Sequence, residues 1–256
     1  MYGMDASSPT GLHDVLVDLA DPRADQLVTD LGCGSGATLA VLARHEPAAR
    51  LVGVDTNEDA LAGLRRSVEK VHAVRADLAR GLPLAPGTVD IVICHNVLES
   101  LVDRMALLAE IDRVLRRGGR AVLGHTDFES IVVTADDRDL SRRICVSYAE
   151  LTVPYRTMAT ADGQMGRWLP GLVRRSGLEL MTVHPHIGLS TSLTGKAESR
   201  VLEMAAAVRK AARLDAARVT AAEVNRWLDD LRAVDARADF LFSETAYLVL
   251  AERSRP

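Results

Sequence analysis

Along the first half of the chain, short apolar blocks alternate with stretches whose apolar residues recur at helical spacing. Leu12, Val15, Leu16 and Leu19 follow Thr10, a helix-capping residue type, and predict a first helix inside an N-terminal cover of residues 1–22. A strand, a glycine turn and a helix over Ala37–Arg44 come next, then a second strand over Leu51–Asp55. Thr56, Asn57 and Asp59 start another helix ahead of Leu61 and Leu64, and Val71–Arg75 is a short third strand. The near-continuous run Val89–Cys94 predicts a central strand buried on both faces. A helix over about Arg104–Arg116 ends at Arg117-Gly118-Gly119-Arg120, and Ala121–His125 is a fifth strand. This alternation predicts a parallel, doubly wound sheet.

The second half changes character. Asp136–Leu151 reads as helical, Asp162–Ser176 as a loop and then another helix, and Leu178–His184 as a sixth strand. The alanine-rich stretch Ala197–Leu214 is helical, and Thr220-Ala-Ala-Glu223 is a capping box ahead of Val224, Trp227, Leu228 and Leu231. Phe240–Glu252 returns to alternation, as a seventh strand. The expected organisation is one domain over residues 1–256, with a helical lid at residues 188–239 between the last two strands.

Composition adds bounds. The chain has 256 residues, 48% apolar and 26% charged, enough for one full core. A net charge of −4 argues against a general nucleic-acid or acidic-membrane partner. Three scattered cysteines suggest neither a disulfide framework nor a metal site, and no apolar run is long enough to span a bilayer. The reading is a cytoplasmic, soluble protein without a metal.

The densest chemical signal is Asp30-Leu-Gly-Cys-Gly-Ser-Gly36, followed by an isolated acid, Asp55, at the end of the second strand. Glycines permit a tight turn and a close ligand approach, and an acid about twenty residues on is placed for ribose hydroxyls. The glycine spacing is not that of dinucleotide turns, and no lysine follows as in phosphate-cradling loops. Asp30 would repel a pyrophosphate, so a cationic or zwitterionic ligand suits the position.

At these residues the chain resembles the class I S-adenosylmethionine-dependent methyltransferases, whose first motif is Asp/Glu-x-Gly-x-Gly-x-Gly. The resemblance implies an α/β Rossmann-like fold with a mostly parallel seven-stranded sheet. It implies S-adenosyl-L-methionine as cofactor and S-adenosyl-L-homocysteine as product. By position, Asp30, Gly32, Gly34 and Gly36 would pass under the methionine part and Asp55 would take the ribose. Thr56 and Asn57 would lie against adenine, with Asp77 and Leu78 at its amino group, and His95, Asn96 and Val97 would line the transfer chamber. Cys33 and Cys94 read as packing residues.

The acceptor side is less legible. Cys94-His95-Asn96-Val97 lacks the Asn/Asp-Pro-Pro-Tyr/Phe pattern of enzymes that methylate nucleic-acid bases. The chain is similar over residues 10–126 to the ubiquinone/menaquinone-type branch, which includes natural-product enzymes. The stretch His125-Thr-Asp-Phe-Glu-Ser130 and the pair Gly166-Arg167 are also similar to that branch. The implied substrate is a small, aromatic or amino-acid-derived natural product. Tyr2, His13, Asp127 and Trp168 are the candidate substrate contacts, and His125, His95 and Tyr155 the candidate catalytic residues. His125 leads as a base because it ends a strand and histidine titrates near neutral pH. His184 and His186 are outside candidates for the substrate side. Two rival readings are a non-catalytic S-adenosylmethionine-binding subunit or sensor, and a protein methyltransferase with an open groove.

Overall fold

A computed structural model describes residues 11–151 and 162–254; Thr10, Tyr2 and Tyr155 lie outside them. Helix α1 (Leu12–Ala20) precedes β1 (Leu27–Leu31), α2 (Ala37–His45), β2 (Arg50–Asp55), α3 (Glu58–Ser67), β3 (Val71–Arg75) and β4 (Val89–His95). Helix α4 (Arg104–Val114), β5 (Leu115–Val133), α5 (Arg138–Ala149), α6 (Met165–Arg175) and β6 (Leu178–Ser190) follow. The described chain closes with α7 (Gly195–Ala212), α8 (Ala221–Ala236) and β7 (Phe242–Arg253).

The strands form one seven-stranded sheet in the order β3-β2-β1-β4-β5-β7-β6. The first five are parallel, and β7 runs antiparallel between β5 and β6. From Ile91 to Cys94 β4 is apolar because both its faces are covered. Ile91 and Ile93 pack with Leu16 of α1, Leu42 of α2 and Leu64 of α3. Val92 and Cys94 pack on the opposite side with Leu108 of α4 and Leu169 of α6. Of the first helix, Leu12, Leu16, Val17 and Ala20 are the fully buried face, so Val15 and Leu19 sit at its margin.

Three boundaries differ from the sequence reading. Arg117-Gly118-Gly119-Arg120 does not stop the chain before a separate strand. It is a bulge within β5, where Val89 pairs with Leu115 and Ile91 already with Arg120. Beyond His125, β5 continues to Val133 because β7 pairs with its extension. Likewise β6 runs through Pro185 to Ser190, so residue 188 lies inside a strand. As the outer strand of the sheet, β6 tolerates a residue without an N–H.

A separate apolar cluster joins α7 and α8 to α5 and the outer half of β5. Its centre is Trp227, fully buried, whose indole N–H donates to Ser141 Oγ at 3.1 Å. Among the described residues no helix is long and apolar enough to cross a membrane.

Candidate active site

The turn after β1 is fixed by backbone bonds and close packing. Gly32 and Cys33 both donate N–H to Val54 O, at 2.8 and 3.1 Å. Gly32, Gly34 and Gly36 all have positive φ, at 70°, 51° and 92°. A Cβ on Gly32 would sit 2.3 Å from Val97 Cγ2, and one on Gly36 2.3 Å from Leu64 Cδ1. A Cβ on Gly34 would meet nothing within 4 Å. Packing therefore requires the outer two glycines, whereas Gly34 opens onto free space.

Asp55, half-buried at the end of β2, closes this space from the side. Its Oδ2 accepts the Gly34 N–H and its Oδ1 the Asn57 N–H, both at 2.8 Å. Each oxygen keeps lone-pair capacity for a further donor. Asn57 in turn caps α3, accepting from Asp59 and Ala60, and is exposed like Thr56. Asp77, also exposed, accepts the Ala79 N–H at 3.0 Å and pairs with Arg80 at 3.3 Å, over a buried Leu78. Asp30 is buried under the turn. Burial, with the Asp55 charge second, pushes its carboxyl up to about 8. Cys33, pushed up to about 12 by burial first, and Cys94, raised further by the same cause, are unreactive packing residues.

Residues 95–100 carry the site from β4 toward the helices. Asn96 takes a left-handed conformation, φ 52°, with its N–H on Gly124 O at 2.9 Å and its Oδ1 on the Thr126 N–H at 3.3 Å. His95 Nε2 is sealed from solvent without a hydrogen-bond partner. Burial first, then His13, His125, Lys196 and Arg200, bring the pKa of His95 down to about 3. It is thus neutral and a poor proton acceptor at neutral pH. His13 packs edge-on against it at 5.8 Å and exchanges a hydrogen bond with Thr38 Oγ1 at 3.0 Å.

His125 is 1% exposed, with Nε2 at 3.2 Å from Glu99 Oε2. Neither of its ring nitrogens, nor Glu99 Oε2, makes a well-aligned hydrogen bond. Beside this pair lies a cavity of about 210 Å³, walled by Asn96 and Glu99, by Phe128 of β5 and Tyr148 of α5, and by Arg200, Glu203 and Ala207 of α7. A roomier groove of about 790 Å³ between outer β5 and α5 includes no residue of the loops closing β1, β2 and β4.

The structure separates the remaining candidates. Asp127 is buried, and both its oxygens are taken by Arg167, at 2.5 and 2.7 Å. It latches α6 to β5 and does not line the 210 Å³ cavity, unlike the substrate contact expected from the sequence. Gly166 allows that approach, since a Cβ there would lie 2.7 Å from His125 O. Trp168, 52% exposed, lies outside the walls of the 210 Å³ cavity. On β6, His184 is exposed and His186 partly so, away from that cavity. Conversely, sequence reasoning missed Glu99, Tyr148, Arg200 and Glu203. A signal existed for the last two: with Ala207 they fall at i, i+3 and i+7 of an alanine-rich helix, one face carrying charges.

Residues 29–123 match the methyltransferase domain family. An uncharacterised 37.1 kDa protein of transposon TN4556 from Streptomyces fradiae is 32% identical over 241 residues, covering 93% of this chain and 66% of that protein. Trans-aconitate 2-methyltransferase of Azoarcus sp. (strain BH72) is 41% identical over 92 residues, 36% of each chain. The chain therefore spans two thirds or less of these relatives' length. The crystal structure of BH2331 from Bacillus halodurans C-125, described as a candidate methyltransferase, superposes with a TM-score of 0.62 at 17% identity, covering 95% of this chain and 99% of that one. With this strand order and this glycine turn, residues 29–123 are a methyltransferase domain of the class I S-adenosylmethionine-dependent type.

Proposed function

We propose that the protein transfers a methyl group from S-adenosylmethionine to a small-molecule acceptor held in the cavity beside His125 and Glu99. One observation carries this reading: the residue after β4 links two spaces. Asn96 walls the cavity, and the next residue, Val97, packs on Gly32 of the turn.

The residues fit the cofactor. Gly34 opens onto free space, Asp55 offers two oxygens for ribose hydroxyls, and Thr56, Asn57, Asp77 and Leu78 flank the same edge for the adenine. Asp30 beneath the turn is held protonated up to about 8, so at neutral pH it supports the turn as an uncharged group. The cofactor supplies a methyl already activated on a sulfonium, so the protein's tasks are to orient the acceptor and exclude water. His125, sealed beside Glu99, is the group placed to receive a proton from the acceptor. His95, although neutral, is placed to shape the chamber wall, and His13 to support it. Helices α7 and α8, with α5, act as a lid over the acceptor. Few dispersed cysteines and the absence of a membrane-spanning helix among the described residues support a cytoplasmic small-molecule enzyme. The resemblance to the ubiquinone/menaquinone-type branch supports a role in natural-product biosynthesis.

The test is calorimetry with S-adenosylhomocysteine on wild type and His125→Ala, followed by turnover with S-adenosylmethionine on any acceptor found. Removing a positioned base costs about 10²–10⁴ in rate. The variant should keep cofactor affinity and lose turnover on that scale; loss of affinity alone would sink the base assignment. No binding by folded wild type would remove the whole reading.

A further inference from the structure

The cavity beside His125 has an uneven charge pattern. Of the three carboxylates that line it, two already have a permanent cation. Asp162 Oδ2 lies 3.0 Å from Arg104 Nη2. Glu203 Oε2 lies 2.7 Å from Arg200 Nη1, and Glu244 Oε2 lies 2.8 Å from Arg200 Nε, with Lys196 3.5 Å from its other oxygen. Glu99 has only an imidazole, and its Oε2 is sealed without a well-aligned bond on a side chain 10% exposed. An uncompensated carboxylate at such a place is costly unless a donor arrives to meet it.

Arg200, the cation in the wall, already has its charge matched by two carboxylates. Its Nε is held by Glu244, its Nη1 by Glu203 and by Tyr148 Oη at 3.3 Å, and its Cζ stands 5.2 Å from the Phe128 ring centroid. Phe128 and Tyr148 pack together at 4.7 Å between centroids, so the cavity also offers an aromatic wall.

We propose that the acceptor is an amine, bound as its ammonium ion by Glu99, with an aryl or similarly flat apolar body against Phe128 and Tyr148. This inference rests on the methyltransferase reading above and deepens it. The ammonium N–H donates to Glu99, which takes a proton from the nitrogen and relays it to His125 Nε2, 3.2 Å from its Oε2, leaving a neutral nitrogen with the lone pair that methylation requires. His125 later returns that proton to solvent. A carboxylate acceptor would instead place a second negative charge against Glu99, with the Arg200 charge already matched by Glu203 and Glu244.

The experiment uses the protein saturated with S-adenosylhomocysteine and a matched set of probes: 2-phenylethylamine, 2-phenylethanol and phenylacetate, each with its ring-hydroxylated counterpart. Calorimetry should give the amines at least about tenfold tighter binding than the alcohols, with the carboxylates weakest. The shape-conserving Glu99→Gln should erase the preference while S-adenosylhomocysteine affinity stays unchanged, which also shows that the variant is folded. Equal or tighter binding of the carboxylates, no binding of either amine, or a preference that survives in Glu99→Gln overturns the inference while leaving the cofactor reading intact. Failure of wild type to bind S-adenosylhomocysteine overturns that reading and the inference with it.

Discussion

Gly34 donates its backbone N–H to Asp55 Oδ2 at 2.8 Å, across a sequence separation of 21 residues. One carboxylate thereby sets the shape of the glycine turn and keeps lone pairs directed toward the ligand edge. Asp55→Ala should weaken S-adenosylhomocysteine binding by about ten- to a hundredfold, the range of roughly 1.5–3 kcal/mol for a lost charge-assisted bond. Titration calorimetry measures it. Unchanged affinity would separate the acid from the cofactor.

Gly32 and Gly34 should respond differently to one methyl group. Gly32→Ala places a Cβ 2.3 Å from Val97 Cγ2 at a φ of 70°. Overpacking of this kind costs about 1–3 kcal/mol, plus about 1 kcal/mol for the left-handed backbone. Truncating the neighbour makes room, so Gly32→Ala with Val97→Ala should be more stable than the sum of the single costs. Gly34→Ala has only the backbone cost of about 1 kcal/mol and should stay folded, yet its Cβ intrudes on the space assigned to the cofactor. Denaturant unfolding and cofactor titration on this set test both statements. A Gly34→Ala protein with wild-type affinity would contradict the placement.

These contrasts show what the sequence made legible. The turn and Asp55 are local signals: residue types at fixed offsets whose geometry follows from strand, turn and helix. The fold followed from alternation for the same reason. The acceptor side has no such signal, because Glu99, Tyr148 and Arg200 come from three separated segments and only their tertiary packing joins them. Asp127 looked like a ligand because it stands beside His125, and nothing local says that Arg167, forty residues on, occupies it. Pro185 looked like a strand end because proline removes a ladder bond, a cost that vanishes on the outer strand.

The Asp127–Arg167 pair is the next test, since it assigns a structural role to a residue that the sequence placed on the substrate side. Arg167 also bonds Glu129 at 2.7 Å and is itself 41% exposed, so it rehydrates easily if its partner is lost. Asp127→Ala should therefore cost about 1–3 kcal/mol in stability, the scale for a lost bond to a charged group, and not the larger cost of stranding a buried cation. Cofactor affinity should be unaffected. A variant as stable as wild type but defective in acceptor binding would return Asp127 to the substrate side.

Asp30 makes stability depend on pH, with a sign opposite to that of an ordinary salt-bridged acid. Unfolded, its carboxyl ionises near 3.8; folded, burial and Asp55 hold it protonated up to about 8. Between those values the folded chain keeps a proton that the unfolded chain has released. Its contribution is therefore complete below 3.8 and is lost as pH rises toward 8. His95 acts the other way. Lowered from 6.5 to about 3, it contributes fully above 6.5 and loses that contribution as pH falls. The two oppose each other in moderate acid, and of the two only Asp30 titrates between 6.5 and 8. Over that interval the melting temperature of wild type should fall with pH, while that of Asp30→Asn, which cannot ionise, should fall less and end higher. Melting curves for both proteins at half-unit steps, without cofactor, decide the matter. Parallel curves would mean that Asp30 is already ionised beneath the glycine turn, and that its charge is held by the site and not suppressed by it.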